Sequence, residues 1–317
     1  MTREIRKELN KATRLYKTGK RDEAFEIYDR HFQKNPDELD RWDRIRYCWC
    51  IYYMHIKDSY DEEELVEYAE MVTDTIRQED MSRSPVCVYT RCVFKLLKFY
   101  KKAEDWDYVL YWLDKLNPEF LSTEQGKSGD MTYPSNREEY YSLKSKALLE
   151  TGEFEECIET SKRALDTLDG FALNGDAWHK FRIAKSLRQL DEPEEALTYL
   201  EEVIKVQDKW YVLKEFAESY CMLEDYGNAL KYAGEAIAAN GPVRMKVNIF
   251  YLVFRVLKDT DRDLAVSHAK MVLAIKLENG TDVPEDIEEL NLDEDNLDIE
   301  TLEYEIRNYW IEREFEN

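Results

Sequence analysis

Small and apolar residues return every three or four positions at Ala12, Leu15 and Tyr16, and again at Ala24, Ile27 and Tyr28, the period of a helix with one buried face. Thr18-Gly19-Lys20 separates the two stretches and Asn35-Pro36 closes them, so the pattern predicts a helix, a Gly-bearing turn, a second helix and a Pro stop. Ala12 and Ala24 are small enough to sit where the two helices cross, with Leu15, Ile27 and Tyr28 filling the space around them. The longest unbroken apolar run, Tyr47 to Met54, is eight residues, too short to span a membrane.

The same pattern recurs as Ala147 to Gly152 with Phe154, Cys157 and Ile158, as Ala184 and Leu187 with Ala196 and Leu197, and as Ala217 and Tyr220 with Ala229 and Leu230. Weaker pairs lie around Tyr53 and Leu65, Leu97 and Val109, and Val253 and Ala265, which brings the count to seven. In chain order the second-helix crossing positions are Ala24, Leu65, Val109, Cys157, Ala196, Ala229 and Ala265, spaced by 41, 44, 48, 39, 33 and 36 residues. Over residues 4–278 the chain resembles the tetratricopeptide (TPR) family, whose helix–turn–helix unit repeats about every 34 residues. The resemblance implies an all-α, right-handed solenoid of about seven units, and a binding surface rather than a particular activity. The N-terminal half departs from the family period, and its second and third units carry Tyr, Leu and Val where the family has small residues.

Composition agrees with helices. Ten Gly and seven Pro in 317 residues are too few for the turns of a long all-β chain. The formal charge is −23, and sixteen Asp or Glu against two Arg from Glu278 onward place −14 of it in the tail, leaving −9 on residues 1–277. Such a balance disfavours a basic nucleic-acid-binding domain. The N-terminus lacks the apolar core of a secretory signal, and Cys48, Cys50, Cys87, Cys92, Cys157 and Cys221 read as reduced thiols in helical patterns; a cytoplasmic location is expected.

Two breaks interrupt the repeats. Residues 122–136 are polar and Gly-bearing, and read as a mobile loop with Ser135 or Asn136 capping the next helix. Residues 279–298 read as a flexible acidic linker, followed over 299–317 by an amphipathic helix with Ile299, Leu302, Ile306, Tyr309 and Trp310 on one side. That helix is expected either to cap the last unit over Ile249, Leu252 and Phe254, or to let the linker compete for a basic groove. The second idea draws on the N-terminus, where residues 1–22 hold eight Lys or Arg against Glu4, Glu8 and Asp22.

Signatures of catalysis fail. Gly126-Lys127-Ser128 ends like a phosphate-binding loop, but Leu121 stands where its first glycine belongs. His31, His55, His179 and His268 lie in separate units, none beside a Cys or another His at ligand spacing, and Cys48 and Cys50 fall on different helix faces. No enzymatic activity, cofactor or metal is therefore expected.

In TPR arrays the first helix of each unit lines the inner groove. By that resemblance the candidate contacts are Arg6, Leu9, Thr13 and Lys17, then Tyr47 and Met54, then Arg91, Phe94, Lys98 and Lys101. Ser142 and Lys146, Trp178, Phe181, Lys185 and Arg188, and Tyr211 and Lys214 complete the set; the ten nominated as the partner-binding site are Arg91, Phe94, Lys98, Lys101, Trp178, Phe181, Lys185, Arg188, Tyr211 and Lys214. Basic and aromatic side chains suit an extended acidic peptide. They also suit single-stranded RNA. The family's clamp for chaperone tails is not reproduced, because the second unit offers Tyr47, Cys50 and Met54 in place of Asn and Lys. The expected function is a non-catalytic protein-binding adaptor or scaffold; the alternatives are an accessory subunit of a nucleic-acid-processing or defence complex, or an acidic inhibitor of a nucleic-acid-binding protein.

Overall fold

The computed structural model describes residues 2–78, 87–294 and 297–314. Fourteen helices follow one another in seven consecutive pairs: α1 (Arg3–Lys17) and α2 (Arg21–Lys34), α3 (Arg41–Ile51) and α4 (Glu62–Thr75), α5 (Val88–Ala103) and α6 (Trp106–Asp114), α7 (Asn136–Thr151) and α8 (Phe154–Thr167), α9 (Gly175–Gln189) and α10 (Pro193–Val203), α11 (Trp210–Met222) and α12 (Tyr226–Ala238), and α13 (Val247–Leu257) and α14 (Arg262–Asn279). The short α15 (Glu285–Glu288) and the longer α16 (Ile299–Glu314) end the described chain. The fold class is thus the all-α solenoid of TPR-like helix pairs expected from the repeats. No helix among the described residues is long and apolar enough to cross a membrane.

All seven crossing positions are buried, from Ala24 and Leu65 to Ala229 and Ala265. The turns obey a rule of their own. Gly19, Glu104, Gly152, Asp191 and Glu224 all have left-handed backbone, and each lies five residues before its crossing position. Only two of the five are glycine, although this conformation is strained for residues bearing a Cβ. Aspartates at Asp40, Asp61, Asp105, Asp225 and Asp261 cap the following helices by accepting a backbone N–H three residues on.

Two compact units divide the chain, residues 1–153 with 166–173, and residues 154–165 with 174–317. In the N-terminal unit the core is built around large side chains: Tyr28, Tyr47, Tyr100 and Trp112 are fully buried. Their phenols are satisfied locally, Tyr47 donating to Asp29 at 2.6 Å and Tyr100 to Glu62 at 2.9 Å. Leu9 is also fully buried, so Leu9 and Tyr47 belong to the core and not to the groove where the repeat phase places them. After α3 the helical phase itself changes: residues Tyr52–Ile56 form a π-helical turn, with the Lys57 N–H donating to the Tyr52 carbonyl, and this turn rotates the side chains beyond it out of the regular phase.

The polar break before α7 contains a β-hairpin. Gly126–Ser128 and Met131–Tyr133 pair as an antiparallel hairpin in which Ser128 faces Met131, turning through Gly129 in left-handed backbone. Ser135 then caps α7 by accepting the Glu138 N–H. Glu138 is itself buried and accepts the Ala172 N–H at 2.7 Å, tying residue 172 back to α7.

In the C-terminal unit Ala184, Ala196, Ala217 and Ala229 are buried to within 1% exposure, where neighbouring helices approach. Enlarging Ala217 or Ala229 to Leu should overpack the crossing and cost about 1–3 kcal/mol. Urea melts read this directly, and an unchanged midpoint for both variants would contradict the crossing geometry.

The acidic segment is held against the repeats through its apolar residues. Val283, Ile287, Leu290, Leu292 and Leu297 interrupt its carboxylates and pack against the last repeat, with Ile287 1% exposed. Tyr251 donates to Asp286 at 3.1 Å. Residues 295–296 of the predicted linker and 315–317 of the predicted helix lie outside the described residues. Helix α16 does cap the unit, but over the second helices α12 and α14 rather than over α13, so Ile249, Leu252 and Phe254 are not its seat. Trp310 lies against Gly234, where a Cβ would overlap the indole, and its Nε1–H donates to His268 Nε2 at 3.0 Å. Arg307 fixes the other end by donating to the Ala238 carbonyl at 3.0 Å, at the C-terminus of α12 where a cation is favourable.

Candidate partner-binding surface

Within the N-terminal unit α1 touches α3 and α3 touches α5, so the first helices share a face. Charge is sorted between the two helices of a pair. Helix α5 carries Arg91, Lys95, Lys98, Lys101 and Lys102 without a carboxylate. Helix α4 carries Glu62, Glu63, Glu64, Glu67, Glu70 and Asp74 without a Lys or Arg, and α6 carries Asp107 and Asp114 likewise. Arg91, Lys98 and Lys101 are exposed and Phe94 is half-buried, as a binding face requires. Among the described residues Arg91, Lys95, Lys98 and Lys101 have no ion pair within 4.0 Å. Glu139 of α7 reaches solvent from a crowded position nearby; desolvation pushes its carboxyl above its ordinary range, and Lys101 and Lys98 pull it back.

Aromatic rings prop these cations. Arg91 lies over Trp49 at 5.7 Å, and Lys95 over Tyr60 at 4.6 Å. Trp49 stacks on Tyr53 at 5.6 Å and 27°, and Arg21 covers Tyr53 at 4.0 Å. None of Arg21, Trp49, Tyr53, Tyr60 or Lys95 is in the set that the repeat phase nominates. The π-helical turn sets the positions of Tyr52 and Tyr53, and no family period encodes it. Arg6, by contrast, is engaged by Asp40 and Asp43 at 3.0 and 2.9 Å.

The C-terminal unit has a different first-helix face. Trp178 stacks on Tyr211 at 5.9 Å, and Phe181 meets both rings edge-on. Trp178 is 36% exposed and available for contact, whereas Phe181 is 9% exposed and is part of the core beneath it. The Tyr211 hydroxyl is hydrogen-bonded to Gln207 at 3.0 Å. Lys185 is half-buried with its ammonium 6.0 Å from the Phe181 ring. Arg188 and Lys214 are not free cations. Arg188 bonds Glu215 at 3.0 Å and Glu218 at 2.8 Å, and Lys214 lies 3.3 Å from Glu218. Glu215 and Glu218 sit on the same helix face as Lys214, and they neutralise a patch that reads as basic when only the Lys and Arg positions are followed. Burial and the neighbouring Glu215 push the Glu218 carboxyl up.

The other candidate chemistry is structural. His31 is held between Glu38 at 2.7 Å and Glu8 at 2.9 Å, and His55 stacks on Tyr68 at 3.8 Å. Burial raises the Cys48, Cys50, Cys92 and Cys157 thiols, leaving them poor nucleophiles.

No protein-family model matches the sequence, and no curated protein matches it significantly. Solved structures do. BtubC (BKLC) from P. vanneervenii matches with a TM-score of 0.50 at 15% identity, over 72% of this chain and 95% of that one. The C-terminal part of a TPR repeat-containing protein from Cytophaga hutchinsonii matches with a TM-score of 0.43 at 13% identity, over 89% and 98% of the two chains. A signal-transduction ATPase with a tetratricopeptide repeat sensor from Pyrococcus horikoshii matches with a TM-score of 0.32 at 15% identity, over 96% of this chain and 44% of that one. At 15% identity the likeness to BtubC is one of fold.

Proposed function

We propose that the protein is a non-catalytic adaptor that holds an acidic segment of a protein partner along its first-helix faces. The observation that carries this reading is the sorting of charge in the N-terminal unit, with unpaired cations along α5 and carboxylates along α4 and α6. Like charges three and four residues apart destabilise a helix, so α5 bears a cost that an anionic ligand relieves. Arg91, Lys98 and Lys101 supply the charge in this unit. The buried thiols suit a reducing compartment such as the cytoplasm.

Charge reversal at Lys98 and Lys185 together should weaken binding of a labelled deca-glutamate peptide about tenfold, the equivalent of about 1.4 kcal/mol, while leaving helicity unchanged. Affinity capture from the native cell with and without nuclease completes the test. Retention of both peptide and partners by the reversed variant would place binding elsewhere. Nuclease-sensitive capture would favour an accessory role on RNA.

A further inference from the structure

We infer that the recognition element is a cation–aromatic ladder in the N-terminal unit, Arg21–Tyr53–Trp49–Arg91 with Lys95 on Tyr60 beside it, and that it reads carboxylates of an extended acidic peptide. The inference rests on the adaptor reading above and gives it an address. The ladder is continuous: Arg21 lies 4.0 Å from the Tyr53 ring, Tyr53 stacks on Trp49 at 5.6 Å, and Arg91 lies 5.7 Å from the Trp49 ring. Three elements contribute, the start of α2, the end of α3 with its π-helical turn, and α5. Lys95 joins the edge, donating to the Lys57 carbonyl at 3.2 Å and covering Tyr60, which is 83% exposed.

Three observations select the ligand chemistry. Arg21, Arg91 and Lys95 form no ion pair within 4.0 Å among the described residues, unlike Arg188 and Lys214 in the other unit, so their charge is available. Arg91 is exposed above Trp49, so its guanidinium has donors free to engage a carboxylate. Trp49 and Tyr53 are half-buried, stacked on each other and each approached by one of the protein's own guanidinium groups, which leaves these two rings little open face for a stacked base. A single-stranded nucleic acid depends on open faces of that kind. From Arg91 to Lys101 the cations of α5 extend the ladder by about 15 Å, the reach of four or five residues of extended peptide. Trp49, Tyr53 and Tyr60 act as positioning residues, and Arg21, Arg91 and Lys95 make the contacts.

The test uses the full chain with two probes, labelled deca-glutamate and labelled decauridylate, followed by fluorescence anisotropy at low and physiological salt. Deca-glutamate is expected to bind more tightly than decauridylate, and the pair Arg91→Gln and Lys95→Gln to weaken it about tenfold. Trp49→Phe, which keeps a ring under Arg91, should retain binding that Trp49→Leu loses at equal helicity. If Trp49→Leu does not fold, the surface pair decides alone. Tighter binding of decauridylate through the same cations would overturn the inference. So would a glutamine pair that leaves deca-glutamate binding intact: if the Lys98 and Lys185 reversal still weakens it, only the ladder fails, and if neither variant matters, the adaptor reading fails with it.

Discussion

Replacing Trp310 with Ala should destabilise the C-terminal unit by about 3–5 kcal/mol, the range for removing a large buried aromatic side chain. Trp310 is 6% exposed and is one of two deeply buried residues by which α16 is held, the other being Ile306 at 2%. Its loss opens a cavity over Gly234 and removes the donor that satisfies His268 Nε2. Gly234→Ala tests the same contact from the opposite side, because the new Cβ would overlap the indole and expel it. Trp310→Phe should cost less, since a ring still fills most of the space and only the hydrogen bond goes, worth about 1–3 kcal/mol when a buried acceptor is left unmatched. Denaturant melts of the three variants separate these cases. Equal stability of wild type and Trp310→Ala would show that α16 is not a structural cap. Deletion of residues 279–317 should likewise lower the melting temperature and leave deca-glutamate affinity unchanged; a tighter affinity would instead mark the acidic segment as a competitor for the cationic face.

Acidification should weaken the protein through the same contact. His268 is fully buried, its Nδ1–H donates to the Leu264 carbonyl at 2.8 Å, and its Nε2 accepts from Trp310, so the neutral ring is the form the fold requires. Burial drives its pKa from 6.5 down to about 4, with the Leu264 carbonyl and Asp261 opposing the shift. Between about pH 6.5 and pH 4 the unfolded chain therefore binds a proton that the native state refuses, and stability falls as pH falls through that window. The contribution is complete above pH 6.5, and the span corresponds to about 3 kcal/mol at about 1.36 kcal/mol per pH unit. His179, whose pKa burial lowers to about 3, acts in the same direction. Stability measured from pH 7 to pH 4 should lose part of its slope in His268→Phe and more of it when His179→Phe is added. A slope untouched by both substitutions would assign the acid response to carboxylates alone.

These two features differ in how far the sequence discloses them. Trp310 lies on an apolar stripe of helical period, and the need for a cap at the end of an array follows from the repeats. The seat over α12 and α14 does not follow, because it depends on Gly234, an unremarkable residue inside a helical pattern until a ring is placed against it. The seven crossing positions are legible because small or apolar residues must stand there in any register. The turns are legible only at Gly19 and Gly152; Glu104, Asp191 and Glu224 adopt the same left-handed backbone without the residue that advertises it. On the binding face, periodicity locates Arg91, Lys98 and Lys101 but misplaces Tyr47, whose fully buried ring packs on Phe25 and Phe32 of α2. Arg188 and Lys214 are read correctly as first-helix cations, yet their charge is cancelled by Glu215 and Glu218, which only spatial neighbourhood reveals. The acidic segment is misjudged for a related reason: its net charge hides five apolar residues whose spacing suffices to fasten it.

The alternation of cationic α5 with anionic α4 and α6 also bears on how fast a partner arrives, not only on how tightly it stays. A polyanion approaching the carboxylate side is turned away before contact, and one approaching the lysine side is drawn in, so misoriented encounters are discarded at a distance. The association rate should consequently drop as ionic strength rises, while the dissociation rate, governed by short-range contacts, changes far less.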